Sequence, residues 1–240
     1  MNEIITLEVK SNFRNGSNII YPVILKDEQD MILIDCGYPH FLSLIKTSAK
    51  EKGIGIDKLT KIIITHHDFD HMGALAEFKN MYQNVLIISS NIEEKYISGR
   101  EKPLRLQQAE DLYHSLPEEQ KSSAYEFHKL LQSIKPVKVD LLVEDQEIFP
   151  WCGGTEIIAT PGHMPGHISL YLKESKTLIA GDALVIENDK LGIANPNYTL
   201  DMFLAKKSIK KLLDYDIEKV ICYHGGIYAG DIKASLEELL

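Results

Sequence analysis

Six of the nine histidines lie in three short segments, and each segment follows closely on a run of apolar residues. The segments are residues 65–73, 160–167 and 223–226, and a fourth segment, 180–182, places Asp182 after a similar run. In α/β folds, ligands bind outside the carboxyl ends of the strands. The sequence therefore predicts an α/β domain with its imidazoles and carboxylates gathered at one edge.

Short β-branched runs predict the strands of this domain. Their length and their Ile, Val and Leu content are typical of buried strands, and they lie at residues 19–25, 31–34, 61–64, 85–88, 155–159, 168–172, 177–180 and 220–222. Helical spacing of apolar residues predicts helices at 41–52, 72–78, 201–213 and 232–240. This mixture indicates a layered α/β architecture.

The segment from about residue 92 to 136 differs in composition from its surroundings. It is rich in charged residues, Gln and Ser, with helix-like spacing at 104–116 and 124–131. We interpret residues 1–240 as a single domain that carries these one or two helices as an insert. Two interpretations of the insert stay open here, a solvated surface excursion or a lid over a binding cleft.

Seven side chains in the four segments are candidate metal ligands: His66, Asp68, Asp70, His71, His163, Asp182 and His224. The first four lie within six residues, so a turn is needed to bring them together. Imidazole and carboxylate suit zinc, iron or manganese, and the absence of cysteine from the segments argues against a structural thiolate site. Seven ligands exceed one tetrahedral ion, whereas two ions sharing a carboxylate would use them all. By contrast, His40, His114 and His128 are interpreted as ordinary histidines.

The order of these residues resembles the metallo-β-lactamase superfamily, whose motif is H-x-H-x-D-H followed by single His, Asp and His ligands. Residues 32–37 also resemble its early strand motif, in which Asp35 supports the metal site. The resemblance implies a four-layer αββα sandwich with the metals at one rim. It implies that one metal is bound by His66, Asp68 and His163, and the other by Asp70, His71 and His224. It further implies that Asp182 bridges the two metals, that His167 is structural, and that His67 fills a variable position and is not a ligand.

Position 68 departs from the family motif, because Asp68 stands where the second histidine is expected. A carboxylate oxygen lies about as far from Cβ as the nearer imidazole nitrogen, so Asp68 can still reach a metal. The substitution makes the site less positive, which lowers the acidity of bound water and favours harder metals. We expect two divalent ions, zinc first, with iron or manganese competing more strongly than in H-x-H-x-D-H members.

The resemblance implies metal-dependent hydrolysis. A hydroxide between the ions, oriented by the catalytic carboxylates Asp70 and Asp182, would attack the carbonyl of a small ester, thioester or lactone. Three alternatives stay open: a β-lactam hydrolase, an iron-dependent oxidoreductase of the flavodiiron or persulfide-oxidising type, and a binding protein without turnover. Six aromatic residues are candidates to line the substrate pocket: Tyr96, Tyr113, Tyr125, Phe127, Tyr198 and Tyr223.

Charge and composition favour a small-molecule substrate. A formal net charge of -9 argues against nucleic-acid and anionic-membrane partners. The first residues do not read as an export signal, and no apolar run approaches the roughly 18 residues of a membrane span. The three cysteines are far apart and suit a reducing cytosol, so we expect a cytoplasmic protein, with a homodimer as the default assembly.

Overall fold

The computed structural model describes residues 2–11 and 18–240, which form two six-stranded sheets packed face to face. The first sheet has the order β1 (Glu3–Thr6), β4 (Val23–Lys26), β5 (Met31–Ile34), β6 (Lys61–Ile63), β7 (Leu86–Ser90) and β8 (Leu141–Val143). The second has the order β16 (Gly226–Tyr228), β15 (Lys219–Cys222), β12 (Thr177–Gly181), β11 (Ile168–Leu172), β10 (Thr155–Ala159) and β9 (Ile148–Phe149). Two hairpins stand apart: β2 (Val9–Ser11) with β3 (Asn18–Ile20), and β13 (Val185–Glu187) with β14 (Lys190–Gly192).

Helices cover the outer faces of the sheets and form the insert. They are α1 (Leu42–Glu51), α2 (Phe69–Met72), α3 (Leu75–Met81), α4 (Asn91–Ile97), α5 (Leu104–Tyr113), α6 (Glu118–Ser133), α7 (Met202–Leu212) and α8 (Ile232–Glu237). Short 3-10 helices occupy Ile56–Lys58 and Trp151–Gly153. Across the described ranges, no helix is both long and apolar enough to span a membrane.

Three apolar cores separate the four layers. One core lies between the sheets, one lies under α1 and α3, and one lies under α7 and α8. Strand β5 contributes to two of them, because Leu33 faces the α1 side while Ile32 and Ile34 face the other sheet. Burial on both faces explains why such strands are apolar without alternation. The predicted αββα sandwich is confirmed.

Some predicted element boundaries are wrong. The predicted strand 19–25 is interrupted at Tyr21 and Pro22, so that β3 ends at Ile20 and β4 begins at Val23. Proline has no N–H to donate to a strand ladder, and the Tyr21 N–H donates instead to the Tyr223 carbonyl.

Three helical predictions also need correction. The predicted helix 72–78 is two short helices, α2 and α3, and the predicted helix 232–240 ends at Glu237. The 92–136 region holds α5 and α6 and most of α4, rather than one or two helices. Sequence reasoning missed α4 because it follows β7 without a loop, with the Ser90 hydroxyl capping it by accepting the Glu93 N–H.

Candidate metal centre

The segment after β6 turns from an extended chain into a helix. Asp68 has an extended backbone and stands at the N-terminal cap of α2, whereas Asp70 and His71 lie inside that helix. His66 precedes the turn and is fully buried. The change from strand to helix lets residues that alternate in sequence face the same space, as the sequence predicts.

The loop at residues 160–167 presents His163 and is fixed by tight packing. Gly162 has φ +142°, and a Cβ there would lie 2.4 Å from Ala205 Cα. His167 Nδ1 lies 2.8 Å from the Thr160 hydroxyl, and its Nε2 accepts the Asp182 N–H at 2.9 Å. His167 therefore joins the loop to the Asp182 backbone, in keeping with the structural role that the resemblance implies.

All seven candidate ligands come together at one end of the sandwich, in two groups with Asp182 between them. We call His66, Asp68 and His163 the first half, and Asp70, His71 and His224 the second half. In each group, the ligand atoms lie within 4.8 Å of one another.

Distances within the halves are those of a compact cluster. In the first half, Asp68 Oδ2 lies 3.1 Å from His163 Nε2 and 3.7 Å from His66 Nε2. In the second half, His224 Nε2 lies 3.3 Å from Asp70 Oδ2.

Asp182 reaches both halves. Its Oδ2 is 3.6 Å from His163 Nε2 and 3.6 Å from His224 Nε2, and its Oδ1 is 3.3 Å from His71 Nε2. One carboxylate therefore faces an imidazole of each half, the position expected of a bridging ligand.

The donor atoms fit a divalent metal. His66 Nε2, His71 Nε2 and Asp182 Oδ1 are buried without a hydrogen-bond partner among the described residues. A buried polar atom without a partner is costly, and its presence calls for an explanation such as a bound ion. Imidazole nitrogen and carboxylate oxygen are ligands that zinc, iron and manganese accept.

Asp35 supports the second half from behind. Its Oδ2 lies 2.9 Å from His71 Nδ1, and its two oxygens also accept the Thr65 N–H and hydroxyl at 2.9 and 2.8 Å. Donation from His71 Nδ1 to a carboxylate fixes the ring so that Nε2 is directed into the site. The Tyr223 hydroxyl donates to the Asp70 carbonyl at 2.6 Å, and its ring packs against His71.

Mixed charges set the protonation states of the cluster. Burial alone would lower the pKa of His71, but the carboxylates of Asp182, Asp35 and Asp70 raise that pKa well above its usual range. Burial lowers the pKa of His66, and the neighbouring His71 lowers it further. Burial opposes ionisation of Asp182, yet His71 and His224 hold its pKa well below the ordinary value. The Asp182 carboxylate is therefore ionised and attracts a cation.

Arg105 is a residue of the site that sequence reasoning missed. Its Nε and Nη2 donate to the two Asp68 oxygens at 3.1 and 2.7 Å, and both side chains are buried. Burial would raise the pKa of Asp68, but the Arg105 guanidinium and the hydrogen bond from His163 hold it well below its usual range.

Glu93, at the start of α4, was also missed. Its Oε2 accepts the His67 N–H at 2.9 Å and its Oε1 accepts the Gly166 N–H at 2.8 Å. The His67 ring is paired with the same carboxylate and stacks on Tyr96. Glu93 thus joins the two ligand-bearing loops, and His67 is used in packing. A fully buried glutamate has no sequence signal that separates it from the exposed acidic residues around it.

A cavity of about 1210 Å³ opens onto both halves. Of the six aromatic candidates, Phe127 and Tyr198 line it, and Tyr223 lies behind His71. Arg105 of α5 and residues of α6, among them Gln120 and Ser123, form one wall. The insert therefore borders the cavity and is more than a solvated excursion.

The three histidines interpreted as ordinary lie away from the cluster. His40 pairs with Glu77 on the surface, with 3.1 Å between Nδ1 and the carboxylate oxygen. His114 and His128 pack against Tyr113. None of them joins the ligand groups found among residues 2–11 and 18–240.

Comparison with known proteins identifies the family. The metallo-beta-lactamase superfamily model matches residues 18–224. The probable metallo-hydrolase YflN of Bacillus subtilis is 31% identical over 238 residues, covering 93% of this chain and 86% of that protein. An N-acyl homoserine lactonase of Bacillus cereus is 26% identical over 251 residues, covering 90% of this chain and 86% of that protein.

A solved structure has the same fold. The metallo-beta-lactamase family protein TTHA1429 of Thermus thermophilus superposes with a TM-score of 0.74 at 22% identity, covering 98% of this chain and 77% of that one. The family model spans the segments that carry all seven candidate ligands. This chain belongs to the metallo-beta-lactamase superfamily.

Proposed function

We propose that this protein is a hydrolase that holds two divalent metal ions and cleaves small, uncharged esters or lactones. The observation that carries the proposal is the arrangement of six donors in two halves around Asp182, with five of the seven candidate ligands lining one cavity. Bound there, two ions supply Lewis acidity for a carbonyl oxygen and make bound water more acidic.

We assign separate roles to the residues of the site. We assign the first half to one ion, the second half to the other, and Asp182 to both. Asp70 and Asp182 both face the cavity, and we assign their carboxylates to hold and orient the attacking water. Phe69, Phe127 and Tyr38 on the cavity wall limit the access of other water to the reacting carbonyl.

The charge of the cavity supports an uncharged substrate. Among the described residues that line it, Arg105 is the only arginine or lysine, whereas Asp68, Asp70, Asp182 and Glu187 are acidic. The Arg105 guanidinium is already bonded to Asp68 and to the Tyr198 carbonyl. Apart from the proposed ions themselves, little in the described wall remains to bind a substrate carboxylate or phosphate, so substrates that need such a contact away from the reacting carbonyl are disfavoured.

One relative and the character of the cavity wall support esters and lactones. One relative is named as an N-acyl homoserine lactonase, and lactones present an uncharged carbonyl. The cavity wall combines apolar side chains such as Val185 and Ile186 with amides such as Gln120 and Asn195. A wall of this kind suits a small molecule with one polar carbonyl group and an apolar remainder.

A substrate panel on the zinc-loaded protein tests the proposal. The panel contains 4-nitrophenyl acetate, an uncharged γ-lactone, an N-acyl homoserine lactone, a glutathione thioester and a chromogenic cephalosporin. We expect the uncharged esters and lactones to be hydrolysed with kcat/KM at least about tenfold above the other two. Asp70→Ala should be inactive, whereas Asp57→Ala, whose side chain is 81% exposed, should keep full activity.

Three outcomes would overturn the proposal. Hydrolysis that persists in Asp70→Ala would show that the centre is not used. A preference for the cephalosporin or the thioester would refute the substrate class. Oxygen consumption with a reductant, in the absence of any hydrolysis, would assign redox chemistry.

A further inference from the structure

We propose that Arg105 is a positioning residue of the metal centre, and that Asp68 and Arg105 together replace the neutral imidazole expected at position 68. The inference rests on the proposed metal centre but not on the proposed reaction. It concerns which ions the first half binds and how tightly.

The guanidinium is fixed from several sides. Besides its two hydrogen bonds to Asp68, Nη2 donates to the Tyr198 carbonyl at 2.8 Å and Nη1 donates to Gln108 Oε1 at 2.9 Å. Only 6% of Arg105 is exposed. A buried, two-pronged pair with further partners is geometrically specific. Arg105 is therefore held on Asp68 and is not a mobile arm for capturing substrate.

Asp68 can serve Arg105 and a metal ion at the same time. A carboxylate has about four lone-pair sites, and Arg105 uses one on each oxygen. Oδ2 also faces the ring nitrogens of His163 and His66 at 3.1 and 3.7 Å. The same oxygen thus lies close both to arginine and to the two other donors of the first half.

The charge balance follows from this pair. Asp68 brings a negative charge into the centre that a neutral imidazole would not bring. Arg105, buried against it, returns a positive charge, so that the pair has the net charge of an imidazole. The stronger competition by iron or manganese that the sequence leads us to expect counts Asp68 without Arg105. With both residues counted, the charge balance supports zinc.

Arg105 also ties the insert to the centre. It lies in the first turn of α5, where the Leu104 N–H donates to His67 Nε2 at 3.2 Å. Its contact with Tyr198 reaches the segment that precedes α7. One side chain therefore links the ligand-bearing loop, the insert and the 195–200 segment, and its loss should be felt in the first half.

Zinc affinity tests the inference without reference to any substrate. The measurement is chelator competition on apo protein titrated with zinc alone, with total zinc determined by elemental analysis. In Arg105→Met, we expect one zinc equivalent to weaken about 10- to 100-fold and the other to stay unchanged, as when a supporting partner of a metal ligand is removed. Arg100→Met is the matched control, because Arg100 lies in the same insert with its side chain 65% exposed.

A second set of variants tests the equivalence of the pair to imidazole. Asp68→His should weaken zinc binding, because Arg105 is left buried beside a metal without its counter-charge. The double variant Asp68→His, Arg105→Met should recover affinity to within about threefold of the unmodified protein, the scatter expected for coupled substitutions. Comparing Asp68→His with the double variant tests the role of Arg105 even if Arg105→Met alone fails to fold.

Two results would overturn the inference: unchanged affinity for both zinc equivalents in Arg105→Met, or zinc binding by Asp68→His as tight as by the double variant. If zinc binding follows the expectation while no substrate is hydrolysed, the proposed function fails and the role of Arg105 stands.

Discussion

The two halves of the metal centre are supported by different parts of the molecule. The second half is held by residues that directly follow core strands, with Asp35 behind His71 and Tyr223 bonded to Asp70. In the first half, His66 follows β6 and its Nδ1 lies 3.0 Å from the Thr65 hydroxyl, whereas Asp68 and His163 are held by residues outside the sheets. Arg105 comes from the insert, and His163 comes from a loop whose carbonyls at Gly162 and His163 accept N–H groups from the start of α7.

This difference separates a fixed region from an adjustable one. Asp35 is 1% exposed and bonded to three groups, so the second half inherits the rigidity of the sandwich. The first half depends on elements that also line the cavity. Changes in the insert can therefore alter the cavity and one half of the centre together, while the other half stays as it is.

The largest expected effect comes from the residue shared by both halves. Asp182→Ala removes the carboxylate between His163 and His224, so both ions should bind weakly and kcat/KM should fall by about 10³-fold or more. Zinc content and ester hydrolysis, measured on protein with unchanged circular dichroism, check this. If Asp182→Ala still binds two zinc equivalents, Asp182 is not the bridging ligand.

Asp35→Asn should affect the second half more than the first, because Asp35 contacts His71 directly but reaches His66 only through the Thr65 hydroxyl. The amide no longer offers two acceptor oxygens to Thr65 and His71, so the zinc equivalent bound by the second half should weaken about 10- to 100-fold. Chelator competition measures it, with Asp57→Asn as the exposed control. Equal weakening of both equivalents would mean that the halves are not independently supported.

The pH dependence of stability tests the loop of the first half. Burial, reinforced by His163, lowers the pKa of His167 to about 3. An unfolded histidine binds a proton below about pH 6.5, so the unfolded state binds more protons than the folded state over this range. Stability from this group is present near neutral pH and is lost as the pH falls.

In chelator-treated protein, the free energy of unfolding should therefore fall about 2 kcal/mol more between pH 7 and pH 5 than in His167→Asn. Urea unfolding at the two pH values measures the difference. Parallel losses in both proteins would show that His167 is protonated in the folded state.

The smallest expected effect comes from removing either of two helix caps. Asp201 and Asp231 each accept an N–H in the first turn of a helix, α7 and α8 respectively. Replacing either with Ala should cost about 1 kcal/mol of unfolding free energy. Only Asp201→Ala should speed amide exchange at Leu200, whose N–H donates to the His163 carbonyl. Equal exchange rates at Leu200 in both variants would show that the cap of α7 does not stabilise the His163 loop.

Local sequence signals are enough to select the seven candidate donors, which the structure brings together. Each stands in a short segment beside an apolar run, and the strand-to-helix turn at Asp68 gathers the first four. The same locality explains the confirmed sandwich, because strands buried on both faces have an apolar signature.

Non-local pairing could not be predicted. Arg105 lies 37 residues from Asp68 in a segment with many charged residues, and none of these is distinguished by its neighbours in sequence. The break at Tyr21 and Pro22 was missed because the apolar run continues through it. Such features depend on which distant groups meet, and apolar periodicity carries no information about that.

The most direct test of the centre is an anomalous diffraction measurement on zinc-loaded crystals, with data collected on both sides of the zinc absorption edge. Two anomalous peaks are predicted about 3.5 to 4 Å apart, one against His163 and Asp68 and the other against His224 and Asp70, with Asp182 between them. A single peak, or a peak in neither half, would contradict the account.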